Sequence, residues 1–227
     1  MTQTPTPKPV GPRRLDYDAL VAKGYSGSEF DAYLETGEYR EGIGDHKAAL
    51  GYYLSAVELQ PDSHAALRRA GDMYFRLGFY EDSLRVFSAA ESSGDVSADV
   101  PYRMGRAAES LGQLAEALAH FDRSLARNDR DAKTYYQRGR LFARMEDLEA
   151  ATGDLVKAIE LVPQYQAAFY DLARTYSQRS MADEAIQTLR QIQGSRRMIH
   201  KLRRDADFNF LRQYPSFWAL LSGKVTI

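Results

Sequence analysis

From about residue 30 onward, apolar residues recur at intervals of three and four, in runs of a dozen or so positions broken by Gly or Pro. That spacing predicts amphipathic helix after amphipathic helix, with no alternating stretch that would make a sheet. A longer period lies over it. Gly37, Gly71, Gly105 and Gly139 stand 34 residues apart, and one further step lands on Ala173. Seven residues after each come Gly44, Gly78, Gly112, Glu146 and Ser180. Small residues follow at Ala49, Ser83, Ala117, Ala151 and Ala185, then large apolar ones at Tyr53, Phe87, Phe121, Leu155 and Leu189. A second small column runs Ala56, Ala90, Ser124 and Ala158, and breaks at Ile192.

A fixed period without insertions predicts stacked copies of one helix–turn–helix unit. Glycine inside a helix costs about 1 kcal/mol against alanine, so the first glycine column needs a packing reason. The expected reason is a close crossing of two helix backbones, with the large apolar column filling the adjoining space. The second glycine column marks the turn between the two helices. One departure is Arg138, in a column otherwise occupied by Thr36, Ala70, Met104 and Leu172. Unit four is expected to bury less there. Unit five matches least, as a terminal repeat does.

These columns together resemble the tetratricopeptide repeat, over five units at 30–63, 64–97, 98–131, 132–165 and 166–197. The resemblance implies an all-α, right-handed superhelical solenoid whose first helices line a concave surface where ligand segments lie. The remaining segment, 198–227, carries Phe208, Phe210, Leu211, Phe217, Trp218, Leu220 and Leu221. It resembles the capping helix that covers the open face of a last repeat, with docking at Trp218 as the alternative. At the other end, residues 1–14 are rich in Pro and Thr and are expected to be a disordered tail. Its "PVGPRR" resembles a Pro-x-x-Pro ligand, although a plain linker is the expectation. Residues 15–29 predict a short helix and a turn, with Ser28 and Asp31 as the start of the first repeat helix.

Within the first helices, the residue three before the small column reads Leu34, Arg68, Tyr102, Tyr136, Tyr170, and the residue after it Glu38, Asp72, Arg106, Arg140, Arg174. Residues four apart stack on one helical face, so repeats three to five present the same Tyr–Arg pair. Tyrosine offers rigid apolar area and arginine offers bidentate contacts to carboxylates. A docking track for an extended acidic segment or C-terminal tail of another protein is therefore expected, with Lys133, Arg103 and Arg144 widening the positive zone. Tyr135 and Phe169 are expected to point into the core. The alternative is that the tyrosines pack between helices and the arginines pair with local carboxylates such as Asp171. The first two repeats are acidic instead, at Asp31, Glu35, Glu38, Glu41 and Asp72, which suits a ligand acidic toward one end and neutral or basic toward the other. The lysine-and-asparagine carboxylate clamp known in the family is missing, since its places hold Leu34, Glu38, Arg69, Asp99 and Arg103.

Composition narrows the function further. The 227 residues carry a net charge of −1 and no cysteine. That excludes disulfides, thiol nucleophiles and cysteine-based metal sites. Four scattered histidines show no metal-ligand spacing, and no carboxylate pair or nucleophile motif stands out. No cofactor and no enzymatic activity are expected. No apolar run is long enough to span a membrane, and a cytoplasmic location is expected. The one basic stretch, "SRRMIHKLRR", holds Arg196, Arg197, Lys201, Arg203 and Arg204. It could meet phosphate or nucleic acid, but the near-zero net charge disfavours nucleic acid. It could also meet acidic repeat one of a second copy, giving a homo-oligomer. The reading is a non-catalytic protein–protein scaffold or adaptor. The runners-up are a self-assembling structural component and a regulatory subunit acting through the basic end.

Overall fold

The computed structural model describes residues 11–192 and 196–222, with side chains for all of these except 196–199. Every regular element among them is helical. The chain divides into two units, Met1–Arg127 and Asn128–Ile227. In the first unit a short α1 (Tyr17–Ala22) precedes three hairpins. These are α2 (Glu29–Gly42) with α3 (His46–Leu59), α4 (His64–Arg76) with α5 (Tyr80–Ser92), and α6 (Asp99–Ser110) with α7 (Leu114–Arg127). The second unit holds α8 (Ala132–Arg144) with α9 (Leu148–Leu161), and α10 (Gln166–Gln178) with α11 (Ala182–Arg190). It closes with α12 (Arg196–Arg204), a 3₁₀ segment (Ala206–Gln213) and α13 (Pro215–Leu221).

Both glycine columns have the roles their spacing predicts. A Cβ on Gly37 would lie 2.5 Å from the ring of Tyr53; on Gly71, 2.7 Å from Phe87; on Gly105, 2.7 Å from Phe121. Each glycine of a first helix thus accepts the large side chain that lies 16 residues on in the second helix. At Gly139 the partner is smaller, and a Cβ would meet Leu155 at 3.1 Å. Unit five completes the series with Ala173 against Leu189, both buried. Cβ bulk is admitted as the partner shrinks.

The second column turns the chain. Gly44, Gly78 and Gly112 have φ of 79, 83 and 77°, and Glu146 and Ser180 hold the same left-handed conformation at 65 and 59°. Beyond each, the N–H of Asp45, Phe79, Gln113, Asp147 or Met181 donates to a carbonyl five residues back, at 2.9–3.0 Å. This Schellman closure satisfies carbonyls that the helix end would otherwise leave bare. At the chain's first repeat helix, Ser28 and Asp31 form the expected reciprocal capping box.

Three expectations are corrected. Arg138 does not leave unit four underfilled. Its guanidinium makes a two-point ion pair with the buried Asp154, at 2.7 and 2.8 Å, so charge complementarity replaces the apolar contact of the other units. The tail is ordered from residue 11, while residues 1–10 lie outside the described residues. The Arg13 N–H donates to the Gly51 carbonyl at 3.0 Å, the Ser55 hydroxyl donates to the Arg13 carbonyl, and the Leu15 N–H donates to Tyr33 Oη at 3.2 Å. Leu15 packs on the core of the first hairpin. Gly51 permits this approach, since a Cβ there would meet Arg13 Cγ at 2.7 Å and the Gly11 carbonyl at 3.2 Å. Finally, the closing segment is a hook rather than a single helix. Phe208, Leu211, Phe217 and Leu221 are buried with Ala185, Ile186 and Leu189 of α11. That is the expected covering of a last repeat, made by 3₁₀ and α together.

Candidate functional site

In the first unit, the first helices α2, α4 and α6 open a cleft of about 310 Å³. Its walls carry Arg68, Arg69 and Arg103 beside Glu38, Asp72 and Asp99, with Leu34 and Ala65 as apolar floor. Arg69 reaches across from α4 to Glu38 at 2.7 Å and Glu41 at 3.5 Å on α2. Arg103 bonds Asp99 one turn back at 2.6 Å and also Asp72 of α4. Arg68 leans toward Asp95 at 3.5 Å. Burial pushes the Asp95 carboxyl up, but hydrogen bonds from Ser97 and the Arg68 charge outweigh it and hold it below the usual range.

Positive charge is nonetheless crowded here. Burial, and then repulsion from Arg68, Arg106 and Arg69, brings Arg103 down to about 10 from 12.5. Arg106 lies over the Phe75 ring at 4.5 Å and over Tyr102 at 6.0 Å. Among the described residues no carboxylate pairs with it. A cation–π stack of this kind stabilises the guanidinium without neutralising it. The cleft lining itself is balanced, three arginines against three carboxylates, and Arg106 beside it adds a positive charge.

In the second unit the predicted ladder is braced internally. The Tyr136 hydroxyl donates to Asp171 at 2.8 Å. Arg140 approaches the same carboxylate at 3.6 Å and Arg174 approaches it at 3.3 Å. Arg174 also lies 3.6 Å from Asp207. Tyr170 is not open to a ligand, contrary to the expectation. It is 4% exposed, its hydroxyl donates to Asp205, and Lys201 Nζ stands 3.6 Å over its ring. The closing segment covers it. Tyr135 and Phe169, expected in the core, are half-buried, and Arg138 stacks on the Tyr135 ring. Tyr102 is half-buried, and Lys133 and Arg144 are exposed.

The structure thus brings together Arg68 and Arg103 in a cleft of repeats one to three, where the ladder had pointed to repeats three to five. Arg69 was missing from the expected set. Its signal in the sequence is the adjacent pair Arg68–Arg69. At the closing end Trp218 is exposed, as are Lys201, Arg203 and Arg204, while the side chains of Arg196 and Arg197 lie outside the described residues. Among the described residues no group of three His, Asp or Glu side chains could hold a metal ion. No helix among them is long and apolar enough to cross a membrane.

A tetratricopeptide repeat family model matches residues 28–98, 68–133 and 102–158. Among solved structures, MamA residues 41 to the end from Desulfovibrio magneticus RS-1 is 19% identical, over 80% of this chain and 99% of that one, with a TM-score of 0.68. YrrB, described as a TPR protein with an unusual peptide-binding site, is 20% identical over 92% of this chain and 98% of that one, TM-score 0.61. PilW, described as a widely conserved type IV pilus biogenesis factor, is 18% identical over 86% and 91%, TM-score 0.72. Such identities speak for the fold alone. No curated protein matches the chain in sequence. The family matches overlap without a break from residue 28 to 158, across the same columns that make the glycine crossings and the left-handed turns, and the chain belongs to the tetratricopeptide repeat family.

Proposed function

We propose that the protein is a non-catalytic scaffold that holds a partner protein by an extended, partly acidic segment or acidic C-terminal tail laid on the first helices. The observation that carries this reading is the cleft of α2, α4 and α6, where Arg68, Arg69 and Arg103 converge with Arg106 stacked nearby. Carboxylates on an incoming segment would take bidentate hydrogen bonds from these planar donors. The acidic wall at Glu38 and Asp72 would reject a uniformly acidic ligand and fix its register. In the second unit, Arg140 and Arg174 already face Asp171 and Asp207, so the first-unit cleft carries the proposal alone.

A random peptide display selection on the immobilised full chain tests the proposal. Enriched sequences should contain Asp and Glu beside apolar residues, and their affinity should fall with salt, as exposed charge pairs are screened. The triple variant Arg68→Gln/Arg69→Gln/Arg106→Gln, shown by circular dichroism to melt like the parent, should lose them. Enrichment of neutral or basic sequences, or an unchanged selection with the triple variant, would refute it.

A further inference from the structure

Many of the described arginines sit against a carboxylate. Arg69, Arg76, Arg85, Arg103, Arg123, Arg127, and Arg138 all do so. The closing hook breaks that pattern. Residues 196–222 hold six cations, against the two carboxylates Asp205 and Asp207. Among the described residues, none of Lys201, Arg203, Arg204 and Arg212 has a carboxylate partner. Their hydrogen bonds go to neutral acceptors. Arg203 donates to the Leu221 carbonyl at 3.2 Å, Arg212 to the Arg203 carbonyl at 2.9 Å, and Arg204 approaches His200 Nε2 at 3.3 Å.

Trp218 belongs to the same chain of contacts. Its indole N–H donates to the Arg212 carbonyl at 2.7 Å, and its ring stands 6.1 Å from that of the fully buried Phe217. Yet 48% of the residue remains exposed. The indole is therefore fixed in place, with its polar edge satisfied, its face open, and Arg212 and Arg203 linked to it in series. A rigid aromatic beside oriented, uncancelled guanidinium groups has the composition of an interaction hot spot.

We propose that this hook is a second docking surface, separate from the first-helix cleft. Its partner is an acidic protein segment that sets an apolar side chain on the Trp218 face and carboxylates against Arg203, Arg212 and Arg204. Charge complementarity selects the acidic partner. The apolar content selects a protein segment over a membrane. Trp218 is the only large apolar side chain of the described hook that is exposed, since Phe210, Tyr214 and Leu220 are half-buried against the core. Insertion of one ring into lipid is weak anchoring, whereas one ring in a protein contact is an ordinary anchor. The chain's net charge of −1 removes the long-range attraction that a nucleic-acid site relies on.

Trp218 is the protein's only tryptophan, so its fluorescence reports on this surface alone. The full chain is titrated with a short peptide of Glu and Asp around one central Leu, and with its twin carrying Ser for Leu. Vesicles containing phosphatidylserine and oligodeoxythymidine are titrated in parallel. The Leu peptide should shift the emission to the blue and saturate, and the Ser twin should bind several-fold more weakly. Arg203→Gln/Arg212→Gln should weaken binding about tenfold, the scale of losing one anchor. Because those two side chains also brace the hook, Arg204→Glu is the second variant; among the described residues its side chain hydrogen-bonds His200 and no backbone carbonyl, and it should weaken binding by a similar factor. Arg69→Gln/Arg106→Gln should leave the response intact, which separates this surface from the cleft. No response to the Leu peptide, an equal response to both peptides, a response to vesicles or oligonucleotide alone, or binding indifferent to Arg204→Glu would overturn the proposal.

Discussion

Replacing Gly105 by Ala tests the packing logic of the whole array. Alanine gains about 1 kcal/mol of helix propensity over glycine, so in an open helix the change would stabilise. Here the new Cβ would lie 2.7 Å from Cδ1 and Cε1 of Phe121, and 3.1 Å from its Cζ. Carbon pairs prefer about 3.5–4.0 Å, so the ring must retreat by nearly 1 Å. Phe121 is fully buried, so its retreat must displace the side chains packed around it. Overpacking of that kind costs about 1–3 kcal/mol, which leaves a net loss of about 1 kcal/mol after the propensity gain. The chain supplies its own control, because unit five pairs Ala173 with Leu189. In a Phe121→Leu background, Gly105→Ala should therefore turn neutral or stabilising. Urea unfolding of the four proteins, followed by far-ultraviolet circular dichroism, gives the coupling directly. A value of about 1–2 kcal/mol is expected. Coupling within about 0.5 kcal/mol of zero, or stabilisation by Gly105→Ala in both backgrounds, would refute the assignment of the glycine column to close contact.

Glu146→Gly and Ser180→Gly should each stabilise by about 0.5–1 kcal/mol, since both residues hold a left-handed φ that costs a side chain about 1–2 kcal/mol; an unchanged or lower melting temperature would count against it. Asp154→Ala should cost about 2–3 kcal/mol, a little under the range for a fully buried pair because Arg138 keeps 21% side-chain exposure. Most of that loss should return in Asp154→Ala/Arg138→Leu, and a denaturation midpoint no better than that of Asp154→Ala would contradict it. Burial first, and then Glu41, Asp171 and Asp205, raise the hydroxyls of Tyr53, Tyr136 and Tyr170 above the ordinary value near 10. The folded state thus holds protons that the unfolded state releases, so stability is full below pH 10 and declines above it. Absorbance titration should show a group of tyrosines ionising only as the helices melt; ionisation of all 15 near pH 10 in a folded protein would exclude this.

The backbone of this molecule was legible because its constraints are local and periodic. Glycine at a close crossing and glycine at a left-handed turn leave a mark on the sequence every 34 residues, and the turn mark keeps its meaning even where Glu146 and Ser180 replace glycine. The side-chain chemistry was harder to read. Arg138 looked like a defect because its partner, Asp154, lies 16 residues away, and a charged pair that occurs in one repeat alone leaves no periodic signature. Tyr170 matched Tyr102 and Tyr136 in register, yet the closing hook covers it, and a terminal repeat differs from its neighbours in what lies beyond it rather than in its own residues. The ordered strap at residues 11–15 depends on Gly51 and Ser55, which fall outside the repeat columns.

The left-handed turns have a further consequence for how such a chain changes length over evolutionary time. Gly78 and Gly112 occupy the same backbone conformation, with φ of 83 and 77°, at equivalent points of successive hairpins. Excising residues 79–112 would join Gly78 to Gln113 and set Gly71 against Phe121, a ring of the same kind as the Phe87 it would lose. Recombination between these points leaves no helix with a mismatched partner and no turn with the wrong handedness. A deletion out of step with the 34-residue period strands a large side chain without its glycine. The array can therefore lengthen or shorten by whole hairpins, and the extent of surface it offers to other molecules is quantised in the same step.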